Sequence, residues 1–204
     1  MKIEILEQNK QEIKFAVKGI TYPLANELRR IMISEVPTMA IEWVDFKKND
    51  SAIPDELLAN RLGQVPLTFD KKAYNIKETC DNCKGKGCSR CQVELVLKKK
   101  GPEVVYSGDM KSKAKDVQPV FDKIPLVELF EGQELQFEAI AQLGIGRNHA
   151  KWQAAVVGYK YSGDDFIFNV ESVSGLAPEE IVTQAAEIVE DKANQFGKLL
   201  GKLE

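Results

Sequence analysis

Four cysteines are the residues whose type and spacing most clearly indicate a chemistry for this chain of 204 residues. They form two CxxC pairs separated by four residues, Cys80 with Cys83 and Cys88 with Cys91. Both sulfurs of a pair can bind one ion, and four thiolates this close in sequence favour a tetrahedral zinc site. Because protein ligands would fill all the coordination positions, the sequence predicts a structural rather than a catalytic metal.

Other interpretations of the cysteines stay open at this point. The thiols could be reduced and without a ligand, although chance rarely places four cysteines at this spacing. An iron–sulfur cluster also binds four cysteines, but the ferredoxin pattern CxxCxxCxxxCP is absent and no proline follows Cys91. The segment CDNCKGKG matches the CxxCxGxG repeat of the J-protein chaperone zinc domain, which uses several such repeats where this chain has one.

The charge balance excludes a general attraction to nucleic acid. Lys and Arg number 28 against 31 for Asp and Glu, so the net charge is −3 and any role in nucleic-acid metabolism must be local or indirect. The first residues, MKIEILEQNK, lack the apolar stretch of a signal peptide, and no window approaches the length of an apolar membrane span. Together with clustered cysteines, which are typical of a reducing compartment, this predicts a cytoplasmic protein with no membrane association.

No catalytic residues are predicted. His149 is the single histidine, which excludes zincin motifs, and no GxSxG, P-loop or complete dinucleotide fingerprint accompanies it. Gly144 and Gly146 form only a two-glycine fragment of a nucleotide loop. His149 is interpreted as an ordered turn residue that packs near Trp152. A stand-alone enzyme with an unrecognised site is the disfavoured alternative.

Alternation of apolar and polar residues predicts strands near the start of the chain. Ile3 and Ile5, followed by Ile13, Phe15 and Val17, recur at a period of two, which is typical of a half-buried antiparallel sheet. A helix then begins near a proline in its first turn. Its apolar stripe consists of Leu24, Leu28, Ile31 and Met32.

A second, longer amphipathic helix is predicted to begin at Ala177-Pro178. Its heptad stripe extends over roughly 26 residues, or about 39 Å at about 1.5 Å per residue. The stripe consists of Val182, Ala186, Val189, Ala193, Phe196, Leu200 and Leu203. One small sheet does not provide enough surface to cover such a continuous apolar stripe. Part of the stripe is therefore expected to contact a partner helix. A helix lying wholly on its own core also fits the pattern.

The middle of the chain differs from its ends in composition. From about Asp45, polar loops punctuated by prolines and glycines surround short strand candidates and the cysteine segment, which indicates a separate, loop-rich unit. Strand patterns return at 135–141, 154–161 and 166–170.

Four segments, in order along the chain, carry a resemblance to a known family. The stretch LANELRRIMISEVPTMAIEWV at 24–44 is similar to the N-terminal assembly helix and following strand in the family of the archaeal RNA polymerase D subunit. VYSGD at 105–109, IPLV at 124–127 and GIGRNHAKW at 144–152 resemble later signatures of that family. The resemblance covers nearly the whole chain and implies homology to the N-terminal region of the bacterial alpha subunit and to the third-largest subunit of eukaryotic RNA polymerase II.

The resemblance implies an α+β fold with two domains. Residues 1–44 and 154–204 would form a dimerisation domain of antiparallel sheet plus long helices, split by an inserted, mostly-β, loop-rich domain at 45–153 that carries the zinc loop. The four cysteines match the position of the zinc loop in that family. Some relatives carry an iron–sulfur domain after the strand equivalent to 154–161. Here the chain continues directly to Phe166, so no iron–sulfur cluster is expected.

The resemblance also implies a non-catalytic function in transcription. The chain would pair with the small subunit L of DNA-directed RNA polymerase and then recruit subunits N and P and the large catalytic subunits. Those large subunits carry the nucleotidyl-transfer chemistry, and DNA would be reached only through the complex. The residues expected at the subunit L interface are Leu24, Leu28, Ile31, Met32, Val182, Val189, Phe196 and Leu200. The residues expected near the large subunits are Arg29, Arg30, His149 and Lys151.

Overall fold

A computed structural model describes residues 1–163 and 165–201 of the chain. Leu203, the last position of the expected heptad stripe, lies outside these residues. The strands are β1 (Lys2–Gln8), β2 (Glu12–Lys18), β3 (Thr38–Asn49), β4 (Gln92–Lys100), β5 (Glu103–Tyr106), β6 (Lys111–Ser112), β7 (Pro125–Leu129), β8 (Glu134–Gly144), β9 (Ala155–Ser162) and β10 (Asp165–Ser172). The helices are α1 (Tyr22–Ser34), α2 (Asp55–Gly63) and α3 (Pro178–Leu200). This mixture of helices and antiparallel sheets confirms the predicted α+β class.

The chain divides into two compact units. The terminal unit combines Met1–Pro37 with Ile145–Glu204, and the central unit is Thr38–Gly144. The chain therefore leaves the terminal unit and returns to it. The boundaries between the units follow Pro37 and Gly144, whereas they were expected after residues 44 and 153. Both lie earlier in the chain because the whole of β3 and the whole of β8 belong to the central unit.

The terminal unit is a four-stranded antiparallel sheet in the order β1-β2-β10-β9, with α1 and α3 packed on it. Phe168 is fully buried at its centre, and its ring stacks on that of Phe15 at a centroid distance of 5.2 Å. The alternation predicted for β2 is confirmed, because Ile13, Phe15 and Val17 are all buried.

The prediction for β1 is corrected, because this strand is exposed along its whole length. Ile3 and Ile5 were expected to be half-buried, yet about three fifths of each side chain is exposed. The strand pairs with β2 at the edge of the sheet, and the described helices do not cover it.

Each helix of the terminal unit begins as its sequence indicates. Pro23 lies in the first turn of α1, where a missing backbone N–H leaves no hydrogen bond unmade. α3 begins at Pro178, and the carboxylate of Glu180 accepts a hydrogen bond from the backbone N–H of Ala177 at 3.1 Å. That carboxylate lies at the positive end of the helix dipole.

The central unit is built on a sheet in the order β3-β8-β4-β6, accompanied by a two-stranded β5-β7 ribbon. Helix α2 packs on β3 and β7, and it buries Leu58 and Leu62, which are four residues apart and therefore share one helix face. These leucines join a core that includes Leu95, Leu135 and Phe137. None of the helices in the described residues is long and apolar enough to cross a membrane.

Removing the ring of Phe168 should destabilise the terminal unit. For Phe168→Ala we expect the free energy of unfolding to fall by about 3–5 kcal/mol, because the substitution leaves a cavity beside Phe15. Urea denaturation followed by circular dichroism measures this. Asn169→Ala, at the next and exposed position of β10, should stay within about 0.5 kcal/mol of the parent. An equal loss in both variants would contradict the packing described.

Candidate functional site

The cysteines lie in a loop of the central unit, residues 75–92, which is called the cysteine loop below. Its two ends are held together, because the backbone N–H of Asn75 donates to the carbonyl of Arg90 at 2.8 Å. Strand β4 begins at Gln92, directly after Cys91, so the last ligand position is fixed by the sheet. The loop is therefore anchored on the core of its own unit.

The structure brings all four predicted ligand sulfurs together. The Sγ atoms lie within 4.8 Å of one another. Three separations are 3.8 Å for Cys80 to Cys88, 3.6 Å for Cys83 to Cys91 and 3.7 Å for Cys88 to Cys91. A tetrahedron with metal–sulfur bonds of about 2.3 Å has edges of about 3.8 Å, so the sulfurs fit one four-coordinate ion. The four cysteines could therefore hold a metal ion.

Backbone amides of the cysteine loop point at the sulfurs. The N–H of Gly87 donates to Cys83 Sγ at 3.3 Å, and the N–H of Cys88 donates to Cys91 Sγ at 3.2 Å. Gly87 reaches this position with φ +101°, a conformation that residues with a Cβ rarely adopt. Such N–H donors stabilise thiolates, the form in which cysteine binds metals.

The environment changes the acidity of the thiols in opposite directions. A hydrogen bond from the Asn82 side chain, followed by one from the Arg90 backbone, lowers the pKa of Cys88 to about 6. Burial acts to raise the pKa of Cys83, but hydrogen bonds led by that of the Gly87 amide outweigh it and leave the pKa below its usual value. Burial raises the pKa of Cys91 to about 12. A metal ion would therefore meet Cys88 as a thiolate near neutral pH and displace a proton from Cys91.

The residues expected at a partner interface divide into three groups by exposure. Ile31 and Met32 are 0% and 1% exposed, so they pack in the chain's own core and their assignment to an interface is corrected. Phe196 and Leu200 are exposed. The remaining four are partly buried on α1 and α3: Leu24, Leu28, Val182 and Val189.

The distal end of α3 is exposed on every side from Glu190 to Leu200. Leu199 is 61% exposed and extends the apolar stripe beside Phe196, although the heptad spacing did not include it. Leu199 is three residues after Phe196, and residues three apart lie on the same helix face. This spacing in the sequence could have identified Leu199 as part of the stripe. Lys192 donates to Glu35 at 2.7 Å and to Glu27 at 3.4 Å, which ties α3 to α1 and raises the pKa of Lys192.

Three arginines of the terminal unit line one cleft of about 360 Å³. Arg29 and Arg30 were predicted as contact residues, and the structure adds Arg147. Among residues 1–163 and 165–201, none of the three forms an ion pair with a carboxylate. Gly146 places Arg147 there, because a Cβ at Gly146 would lie 2.6 Å from the carbonyl oxygen of Ile33 at the end of α1. The glycine fragment therefore serves close packing of a loop on a helix.

His149 and Lys151 lie on the following turn. The Nδ1 atom of His149 accepts a hydrogen bond from the backbone N–H of Lys151 at 3.1 Å. The rings of His149 and Trp152 meet edge to face, and Lys151 Nζ lies 4.5 Å from the Trp152 ring centroid. His149 is an ordered turn residue beside Trp152, as the sequence indicated.

Comparisons with known proteins give a consistent result. Residues 44–159 match the family model described as the RNA polymerase Rpb3/RpoA insert domain. Over 165 residues the chain is 48% identical to DNA-directed RNA polymerase subunit Rpo3 of Methanothermobacter thermautotrophicus, covering 79% of this chain and 62% of the relative. The Rpo3 subunit of Thermococcus kodakarensis is 45% identical over 161 residues, covering 79% and 60%. The chain spans about three fifths of the length of these relatives.

A side chain at position 87 should weaken metal binding. We expect Gly87→Ala to lower the bound metal per chain under chelator competition, because a Cβ strains the backbone at φ +101° and displaces the amide that donates to Cys83 Sγ. Inductively coupled plasma mass spectrometry measures the metal. Gly132→Ala is the control, since its φ of +79° imposes similar backbone strain with no atom near the added Cβ. Equal metal retention by both variants would contradict the role given to Gly87.

Proposed function

Because the chain belongs to the RNA polymerase Rpb3/RpoA insert-domain family, we propose that it is a non-catalytic assembly subunit of DNA-directed RNA polymerase. The observation that carries the proposal is the family match over residues 44–159 together with identity of 43–48% to Rpo3 subunits. In the letter nomenclature of archaeal polymerases, the proposed identity is the D subunit.

The two units have separate tasks in this proposal. The terminal unit is the dimerisation domain, and the central unit is the insert within it. The small subunit L pairs with the terminal unit, and the resulting heterodimer recruits subunits N and P and then the large catalytic subunits. Support for a partner on the terminal unit comes from the exposed apolar end of α3, since large apolar side chains clustered on a surface are typical of interaction sites.

The subunit L interface is proposed to use the exposed and partly buried members of the two helical stripes. Phe196 and Leu200 are the exposed members, and Leu199, which is also exposed, adds to their apolar surface. Lys192 holds α3 against α1 through Glu35 and Glu27, so the stripes of the two helices are presented in a fixed relation.

A second surface is proposed for the large subunits. Arg29, Arg30 and Arg147 line one cleft, and His149 and Lys151 follow on the adjacent turn of the chain. Guanidinium groups without carboxylate partners within the described residues suit acidic side chains of another protein, which they bind through paired hydrogen bonds. DNA would be engaged only through the assembled complex.

The metal of the cysteine loop is proposed to be zinc in a structural role. The sulfur separations of 3.6–3.8 Å match the edges of a tetrahedron built on zinc–thiolate bonds of about 2.3 Å, and four protein ligands leave no position for a reacting water. The metal would join the turn before Cys80 to the start of β4 and so hold the loop folded. The nucleotidyl-transfer reaction belongs to the large subunits in this proposal, and this chain supplies none of its reacting groups.

Removing the two buried thiolates should abolish zinc binding. We expect the purified chain to carry about one zinc ion, and Cys80→Ser with Cys91→Ser to carry none, because a two-cysteine site binds far more weakly. Elemental analysis of both proteins measures zinc and iron together. Ser89→Ala, an exposed change within the loop, should keep the zinc. Unchanged zinc in the double variant, or iron in place of zinc, would contradict the assignment.

Charges at the distal end of α3 should prevent pairing with subunit L. For Phe196→Asp with Leu200→Asp we expect loss of the heterodimer in size-exclusion chromatography, because the exposed apolar stripe would become acidic. Both positions are exposed, so the free energy of unfolding of the chain alone should change by no more than about 0.5 kcal/mol each. Ile31 is unsuitable for this test, because a charge at a fully buried position would unfold the chain itself.

Lys198→Asp provides the matched control, since it changes the same helix turn on the opposite side. This variant should still pair with subunit L. A normal heterodimer from the double variant would refute the interface.

A further inference from the structure

The cysteine loop and the turn before it form a positively charged region on an acidic chain. Residues 71–92 contain six cations and two acids, a net charge of +4, whereas the whole chain has a net charge of −3. A divalent ion held by four thiolates would contribute −2, and the region would still be positive. The six cations, called the basic patch below, are Lys71, Lys72, Lys77, Lys84, Lys86 and Arg90.

The charges of the basic patch are not neutralised within the chain. None of the six cations forms an ion pair with a carboxylate in the part of the chain that the structure describes. Lysines elsewhere do so, since Lys18 lies 2.9 Å from Asp165 and Lys99 lies 2.8 Å from Asp109. Five members of the patch are exposed and Lys77 is partly buried. The patch can therefore meet an anion from outside the chain.

Folding of the cysteine loop gathers the cations in a small space. Lys84 follows Cys83 and Arg90 precedes Cys91, and the Sγ atoms of these two cysteines lie 3.6 Å apart. The carbonyl of Arg90 accepts the backbone N–H of Asn75, which is three residues after the second lysine of the preceding turn. The loop therefore carries the charges as a group on its own unit.

The tip of the cysteine loop leaves room for a large ligand. Lys84 and Lys86 are exposed and alternate with Gly85 and Gly87, so the residue between the two lysines has no side chain. Lys84 adopts φ +49°, in the left-handed region that residues with a Cβ seldom occupy. A Cβ at Gly85 would meet no atom within 4 Å, so the space beside both lysines is open.

The composition of the basic patch suits a run of phosphate groups. Five of its six members are lysines, which act as mobile point charges and need no fixed geometry. Phosphate backbones are bound in this way, through charge and the release of counterions. Paired hydrogen bonds to single carboxylates are the chemistry of arginine, which is the residue of the cleft in the terminal unit.

A duplex fits the basic patch better than a single strand does. Proteins that bind single strands combine positive charge with aromatic side chains on which the bases stack. Tyr74 is the one aromatic residue between 70 and 92, and it is only 8% exposed. Its hydroxyl also lies 3.2 Å from a carboxylate oxygen of Asp116. The patch therefore offers charge without a stacking surface.

We infer that the basic patch binds the phosphate backbone of duplex DNA without reading its sequence. The choice of DNA rests on the proposed function, in which the chain belongs to a DNA-directed polymerase. The complex engages DNA in that function, and the patch adds this chain's own contact. Outside residues 71–92 the chain has a net charge of −7, so the attraction is confined to this region.

Fluorescence anisotropy of a short labelled DNA duplex tests the contact. The purified chain is titrated against the duplex at several salt concentrations. We expect Lys84→Gln with Lys86→Gln to weaken binding by at least about tenfold at low salt, because two phosphate contacts are lost. The slope of log affinity against log salt should become shallower by about 1.8, which is about 0.9 for each contact.

Lys10→Gln with Lys123→Gln is the matched control. Both residues are exposed, form no ion pair within residues 1–163 and 165–201, and lie outside the basic patch. This variant removes the same charge and should keep the affinity and the salt slope of the parent. Equal weakening in both variants, or an unchanged affinity in the loop variant, overturns the inference.

A second variant keeps the test decisive if substitutions at the tip disturb the loop. Lys71→Gln with Lys72→Gln lies outside the cysteine loop and should weaken DNA binding in the same way. Metal content by elemental analysis and thermal unfolding show whether each variant keeps its fold. Full affinity in a folded variant of this second pair contradicts the inference.

Other polyanions test the choice of occupant. Single-stranded DNA, an RNA duplex and polyglutamate are titrated under the same conditions. Tighter binding of either nucleic acid overturns the assignment to duplex DNA, and tighter binding of polyglutamate assigns the basic patch to an acidic protein instead. Two DNA duplexes of unrelated sequence should bind equally, and a preference for one would contradict recognition by charge alone.

Pairing with subunit L separates this inference from the proposed function. The basic patch takes no part in that pairing, so the loop variant should form the heterodimer as the parent does. A parent chain that pairs with subunit L but does not bind duplex DNA refutes the inference and leaves the function intact. A parent that binds DNA through the patch but never pairs with subunit L refutes the function and leaves the phosphate contact.

Discussion

Pairing between β2 and β10 is the interaction on which the terminal unit depends. These strands lie about 150 residues apart in sequence, yet they align without a bulge from Lys18 opposite Asp165 to Glu12 opposite Glu171. The pairing brings the start and the end of the chain into one sheet, and Lys18 and Asp165 also form an ion pair at 2.9 Å. Without it, α1 and α3 would share no sheet.

The cysteine loop follows the opposite principle, because its contacts are local. Its four cysteines lie within a short stretch, its ends are joined by one backbone hydrogen bond, and its amides point at its own sulfurs. A metal ion can hold such a loop with few contributions from the rest of the chain. The molecule therefore combines one unit closed by the pairing of distant strands with a loop whose contacts are made between residues close in sequence.

This difference explains how much could be predicted from the sequence. The cluster of four cysteines was predicted because their spacing is a local pattern, and so were the strand alternation in β2 and the start of α3. Burial was harder to predict. The alternation in β1 resembles that in β2, but only the packing of the helices decides which strand is covered. Likewise, Ile31 and Phe196 both lie on apolar stripes, although one is buried in the core and the other is exposed.

Because the chain returns to its first sheet, the two units can complete their folds at different times during synthesis. The central unit is complete at Gly144, so it can fold while the remainder is still being translated. The terminal unit cannot complete its fold at that stage, because the sheet that contains β2 lacks its neighbouring strand until β10 emerges from the ribosome. A nascent or truncated chain that ends before β10 would leave the apolar side of β2 without cover and prone to aggregation. The terminal unit can therefore complete its sheet only after β10 has been synthesised.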